Sequence, residues 1–246
     1  MTASRILRMV IYAFPQGLGA WVALLLLLPS LRAEEQSSMT YRGEARDASG
    51  ALVYTETHQV SFSSGSRRES VTEYRGPDGV LLATLKSDYS RSLTLPTYVF
   101  EDFRRNYREG LRWQDGRYVI FNQKATAQEK TAVLQPGEAL FSCQGWHYHL
   151  LDNLGLLERE GVILNLVLPS KLRPIPVEVR PLATDKSQVS AELHLRHWLL
   201  RHFAPTLRLS YDKENRRLTE FHGVSNILDP AGRPQVLTIR YRFPEG

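Results

Sequence analysis

Turn signals recur through this chain at short intervals, and their spacing constrains the fold more than any other feature. Asp47-Ala48-Ser49-Gly50, Ser63-Ser64-Gly65-Ser66, Pro77-Asp78-Gly79, Gln114-Asp115-Gly116, Asp212 to Asn215 and Asp229 to Gly232 separate runs rich in Val, Tyr, Thr and Phe. Such punctuation reads as antiparallel hairpins following one another in a meander. The runs predict strands near 39–47, 51–63, 67–76, 80–88, 97–107, 109–114, 117–123, 129–134, 161–168, 175–181, 187–195, 206–212, 217–224 and 234–243. No repeat, low-complexity linker or composition break follows residue 34, so the reading is one β-rich domain over 34–246.

Two segments depart from this rhythm. In Trp146 to Leu157 (WHYHLLDNLGLL) the apolar positions Trp146, Leu150, Leu151, Leu154 and Leu157 fall at helical spacing, which predicts one buried helix. Val162 to Leu168 (VILNLVL) is almost unbroken apolar, as expected of a strand covered on both faces. The expected fold is therefore mainly β (α+β): a single curved antiparallel meander sheet, or a half-barrel, wrapped around that helix. A second, shorter helix is expected over 196–203, ended by Pro205. The stretch His194 to Phe203 (HLRHWLLRHF) joins an apolar side to basic residues. It reads as closing one end of the sheet, with contact to an anionic membrane surface as the alternative.

The first 33 residues have a different character. Arg5 and Arg8 precede the apolar run Leu18 to Leu28, Pro29-Ser30 breaks it, and Arg32-Ala33 leads into Glu34-Glu35. That is the layout of a secretory signal peptide cleaved after Ala33, with an uncleaved membrane anchor as the alternative. The expected location is the periplasm. The formal charge of the whole chain is +5, from 31 basic and 26 acidic residues. Three arginines and no acid fall within 1–33, so the remainder carries only +2. Its basic residues come in pairs, such as Arg67-Arg68 and Arg216-Arg217, without the concentrated stripe that phosphate neutralisation needs. Nucleic acid is not expected as a partner.

The chain contains no glycine-rich phosphate loop, HExxH, Gly-x-Ser-x-Gly elbow or cysteine pair. Its one cysteine, Cys143, reads as packing rather than as a nucleophile served by His147. The histidines gather late, at His147, His149, His194, His197 and His202. On a helix His147 and His149 diverge; on a strand they would converge. No metal, no cofactor and no enzymatic activity are expected.

The most informative pattern lies in the second run. Period two places Leu52, Tyr54, Glu56, His58, Val60 and Phe62 on one face, so Glu56 and His58 sit within the more apolar side. Buried charge is costly unless paired, and three readings follow: a structural pair in the sheet, a polar anchor at the mouth of a ligand cavity, or acid/base chemistry. Asp102-Phe103-Arg104 and Tyr107-Arg108-Glu109 are candidate sources of partners from a later strand. Tyr54, Glu56, His58 and Trp146 are the candidate ligand-binding residues.

Four phrases, Leu52-Val53-Tyr54-Thr55-Glu56, Leu168-Pro169-Ser170-Lys171, Leu209-Ser210-Tyr211-Asp212 and Gly223-Val224-Ser225-Asn226, give the chain its resemblance to a group of exported bacterial β-rich proteins of unknown function. It is more loosely similar to periplasmic lipoprotein-carrier half-barrels, in which an open curved sheet encloses a helix and an apolar cavity. That similarity implies a fold and a cavity but no activity. The expected function is a non-enzymatic periplasmic protein whose curved sheet binds or shields a lipid or other hydrophobic molecule. The alternative is a structural or protein-interaction module of the envelope, with a packed interior and an envelope protein as partner.

Overall fold

The computed structural model describes residues 36–135, 139–155, 157, 161–195 and 206–244. The expected signal peptide over 1–33 and the expected second helix over 196–203 lie outside these residues. Fifteen strands form one curved sheet: β1 Gln36–Arg46, β2 Leu52–Ser63, β3 Ser66–Arg75, β4 Leu81–Asp88, β5 Thr97–Asp102, β6 Tyr107–Gln114, β7 Arg117–Lys124, β8 Lys130–Val133, β9 Leu140–Phe141, β10 Val162–Leu168, β11 Arg173–Thr184, β12 Gln188–Leu195, β13 Leu207–Asp212, β14 Arg217–Val224 and β15 Val236–Arg242. Among the described residues an α-helix, α1, spans Gly145–Asp152. Among the described residues no helix is long and apolar enough to cross a membrane.

The strands stand in the order β8 to β1, then β15 back to β9, so each lies beside its neighbour in sequence and β1 meets β15. Turn chemistry explains much of this succession. Asp115 and Gly116, at φ of 49° and 75°, form the two-residue turn between β6 and β7, and Ser64-Gly65 does the same between β2 and β3. Positive φ at both central residues matches the right-handed twist of the strands they join. Between β5 and β6 the chain turns earlier than the run over 97–107 suggests. The Asp102 carboxylate accepts the backbone N–H of Arg104 at 3.1 Å, and Asn106 adopts φ 46°. An Asp that bonds the backbone two residues on initiates a turn.

The sheet is mixed rather than wholly antiparallel. β9 pairs in parallel with β10, Asn165 opposite Leu140 and Leu166 opposite Phe141, and α1 lies between them in sequence. A parallel pair needs a crossover, which α1 supplies. A two-residue strand carries no periodic signal, so β9 has no counterpart among the expected strands. β8 and β9 are consecutive in the chain, yet no ladder joins them among the described residues and the sheet stays open. β11 runs longer than the expected 175–181 despite three prolines. Pro174 and Pro176 lie opposite Val167 and Asn165 of β10, beyond the described end of β12, and Pro181 sits at a register shift.

The helix is shorter than the expected 146–157. Asn153 caps it, donating from Nδ2 to the His149 carbonyl at 2.9 Å, a local bond that competes with helix continuation. Leu150, Leu154 and Leu157 are nevertheless all buried. They pack with Leu164, Val177, Val179, Leu193, Leu209 and Tyr211 of β10 to β13. A second apolar cluster joins Tyr54, Tyr74, Leu85, Tyr98, Phe100, Leu111 and Ile120 of β2 to β7 with Ile239 of β15. Phe221 of β14 packs against both. The expectation that β10 is covered on both faces needs correction. Leu164 and Val167 are buried, but Ile163 is 46% exposed, so part of the strand faces solvent. Continuous apolar sequence does not by itself report a second covering layer.

Replacing Leu150, which is fully buried within the first cluster, removes transfer free energy and leaves a cavity. Leu150→Ala is expected to lower unfolding free energy by about 2–5 kcal/mol in denaturant melts, and a loss under about 0.5 kcal/mol would contradict the helix's place in the core.

Candidate functional site

The alternation of β2 sets the site. Tyr54, Glu56, His58 and Val60 are all buried, while the intervening residues are half-buried or exposed. A register shift between Ser61 and Phe62 then ends the phase, so that Ser63 is buried and Phe62 only half-buried. Across the ladders, His58 stands between Tyr41 of β1 and Thr72 of β3, and Glu56 between Gly43 and Tyr74.

Both nitrogens of the His58 ring are engaged. Nε2 lies 2.9 Å from Glu56 Oε2, and Nδ1 lies 2.9 Å from Thr72 Oγ1. The Tyr41 ring stacks on the imidazole with centroids 4.3 Å apart, and Tyr241 of β15 meets it edge-on at 5.7 Å. The Tyr241 ring fits because residue 43 has no side chain. A Cβ there would come within 2.9 Å of Tyr241 Cε1 and of Ile239 Cγ2. Tyr54 Oη is 2.9 Å from Ser225 Oγ and donates a longer bond, 3.4 Å, to Glu56 Oε1. Ser225 Oγ in turn accepts the N–H of Ile227 at 2.8 Å. Burial, and after it the Glu56 carboxylate, raises the Tyr54 and Tyr74 hydroxyls well above the ordinary tyrosine range. They stay protonated at any physiological pH.

These residues line one side of a cavity of about 290 Å³. Leu85 and Phe100 continue its wall along the first half of the sheet. Leu166, Val167, Leu209 and Phe221 face it from the second. Trp146 and His147 reach it from α1. The His147 ring stacks on Tyr211 with centroids 5.6 Å apart, and its Nδ1 is 3.1 Å from the Tyr211 hydroxyl. Burial foremost, then the positive charge of Arg67, pushes His147 down to about 3, so it is neutral. Glu109 lines the cavity as well and accepts the Tyr107 hydroxyl. Burial raises its carboxyl above the usual range.

Tyr54, Glu56, His58 and Trp146 thus border the same cavity, the first three from one strand and the last from the helix. The phrases named as sources of partners do not reach them. Asp102 is held by Arg104 at 2.7 and 3.1 Å, and Glu109 by Tyr107. The cross-strand row from Glu56 passes Tyr74 and Ala83 before Asp102, which places Asp102 three strands away, about 14 Å along a sheet. Sequence reasoning did not bring Tyr41, Tyr241 or Ser225 to the site, and it weighed His147 and Glu109 in other roles, as a base or metal ligand and as a partner of the Glu56–His58 pair, rather than as cavity wall. Ser225 lies in the phrase Gly223-Val224-Ser225-Asn226, but nothing local ties it to Tyr54, 171 residues away.

On α1, His147 turns to Tyr211 while His149 packs on Phe141 at 5.0 Å. Among the described residues no three His, Cys, Asp or Glu side chains gather as a metal-binding group. His194 pairs with Glu192 at 3.1 Å, and His197 and His202 lie outside the described residues. Comparison with known proteins finds no family model and no curated protein that matches the chain.

Cys143 borders the cavity with Ser87 Oγ 3.5 Å from its sulfur, and burial pushes its thiol up to about 11. The thiolate is the reactive form. At pH 7.5 iodoacetamide is expected to label Cys143 in the folded protein about a hundredfold more slowly than in the unfolded chain, since its pKa stands two units above the ordinary thiol value of 9.0. Equal rates by mass spectrometry would contradict this placement.

Proposed function

We propose that this chain is an exported, periplasmic, non-enzymatic protein that binds or shields a hydrophobic molecule, a lipid or an acyl chain, on the concave side of its sheet. The observation that carries the reading is the cavity of about 290 Å³, with apolar walls and a small convergent set of polar groups. Ligand sites have this character, and its volume is near the lower end of their usual range. A packed interior would leave no such space.

On this reading the sheet curls as a half-barrel around α1. The contacts of the helix support it, because they run to both halves of the sheet. Tyr148 meets Tyr89 just after β4 at 5.7 Å and carries the Arg67 guanidinium of β3 at 3.2 Å over its ring. His147, the residue before it, bonds Tyr211 of β13. The 3-10 turn Pro169–Lys171 after β10 adds a link across the opening, where Asn122 of β7 donates to the Pro169 carbonyl at 2.6 Å. The leader-like first 33 residues support export, and the similarity to lipoprotein-carrier half-barrels agrees with the cavity.

The envelope-module reading draws on one observation, the open edge at β8, where Val133 is 44% exposed. Unpaired strand edges can recruit a partner strand.

Native mass spectrometry of the protein purified from the periplasm decides between them. Bound species of a few hundred daltons, released on denaturation, are expected. Leu166→Trp, which places a bulkier ring at a half-buried cavity wall, is expected to lower their occupancy at least about fivefold without unfolding the chain. A wild-type protein with neither a mass excess nor saturable uptake of a hydrophobic fluorophore would favour the envelope module.

A further inference from the structure

The charge on the cavity wall says which head group a bound amphiphile can carry. Among the described residues the lining includes two carboxyl groups, Glu56 and Glu109, and no lysine or arginine. Its two histidines are Glu56-bound His58 and neutral His147, whose Nδ1 is taken by Tyr211.

Glu56 is 5% exposed and incompletely served. Its Oε2 has His58 Nε2 at 2.9 Å, but among the described residues Oε1 has only the Tyr54 hydroxyl at 3.4 Å, and that hydroxyl stands closer to Ser225. A carboxylate offers about four lone-pair sites, and a buried one is stabilised by each donor it gains. Oε1 therefore retains acceptor capacity at the cavity wall. A carboxylate or phosphate head placed there would set acceptor oxygens against the Glu56 oxygens in a low-dielectric space whose described lining holds no lysine or arginine; Arg67, whose charge reaches His147, lies over the Tyr148 ring and outside that lining. An alcohol or an ammonium head would instead supply the missing donor, while Leu166, Leu209 and Phe221 cover its hydrocarbon body.

We infer that the cavity selects amphiphiles with a hydrogen-bond-donating head that carries no negative charge, and that Glu56 is the acceptor for that head. This deepens the hydrophobic-carrier reading and rests on it.

The test uses the chain without its leader, loaded with N-phenyl-1-naphthylamine as a neutral fluorescent probe. Dodecanol, dodecylamine and dodecanoate, each below its aggregation concentration at pH 7.5, compete for the site. Dodecanol and dodecylamine are expected to displace the probe at least about tenfold more tightly than dodecanoate, the scale of one hydrogen bond to a charged group. In Glu56→Gln, where the isosteric amide keeps volume and an acceptor for His58, the gap is expected to shrink to about threefold or less. Dodecanoate binding as tightly as dodecanol to a protein that takes up the probe overturns the inference and leaves the carrier reading standing. Failure to take up the probe or any of the three overturns both. A gap unchanged in a folded Glu56→Gln overturns the assignment to Glu56. Should that variant not fold, the wild-type ranking still decides whether anionic heads are rejected.

Discussion

The phase of β2 governs the interior of this protein. Side chains alternate across a strand with period two, so a slip of one residue against β1 or β3 would turn Val53, Thr55, Thr57 and Gln59 inward and put Tyr54, Glu56, His58 and Val60 in water. Two features hold the phase. The Ser64-Gly65 turn with the bulge between Ser61 and Phe62 sets the register between β2 and β3, and the long β1 ladder places Gly43 opposite Glu56 and Tyr41 opposite His58. Everything at the cavity's polar end follows from that alignment: the stacked Tyr41 ring, the Thr72 hydroxyl behind the imidazole, and the room at residue 43 that admits Tyr241.

Taking a carboxyl group and an imidazole out of water carries a desolvation cost that apolar residues of the same size would avoid. The structure offsets it with a connected chain of hydrogen bonds. Thr72 reaches His58, His58 reaches Glu56, and Tyr54 links Glu56 to Ser225, which is itself anchored by the Ile227 N–H. The chain is well satisfied everywhere except at Glu56 Oε1, and that weak point borders the cavity. Asp102, also buried, closes instead on Arg104 two residues away. A local pair of this kind needs no cavity and leaves no acceptor open.

Much of the architecture was legible from residue order. Most strands fall within a few residues of their expected positions, because alternation and turn residues act over a handful of positions. The inward placement of Tyr54, Glu56 and His58 was legible for the same reason. The misses share a different cause. β9 is two residues long and exists only because Leu140 and Phe141 meet β10. The end of α1 depends on the Asn153 side chain bonding back to His149, which outweighs the apolar spacing that continues to Leu157. The search for partners of Glu56 and His58 went to the charged phrases around Asp102 and Glu109 on later strands. Glu56 is bonded instead by His58 and Tyr54 of its own strand, with Thr72 of the adjacent strand behind His58 and Ser225 behind Tyr54.

By itself, the sequence determined that this chain builds a long succession of hairpins, that one strand turns a Glu and a His toward the covered side, and that an apolar segment near residue 150 is buried. Those outcomes depend on interactions within a strand, a turn or a helical turn, where spacing along the chain and spacing in the fold are nearly the same. Only the tertiary structure decided that β1 pairs with β15, that α1 touches both β3 and β13, and that Tyr54 and Trp146 border one cavity. Each of these joins residues far apart in sequence. Their meeting depends on the accumulated curvature and register of many strands, a sum that no local pattern records.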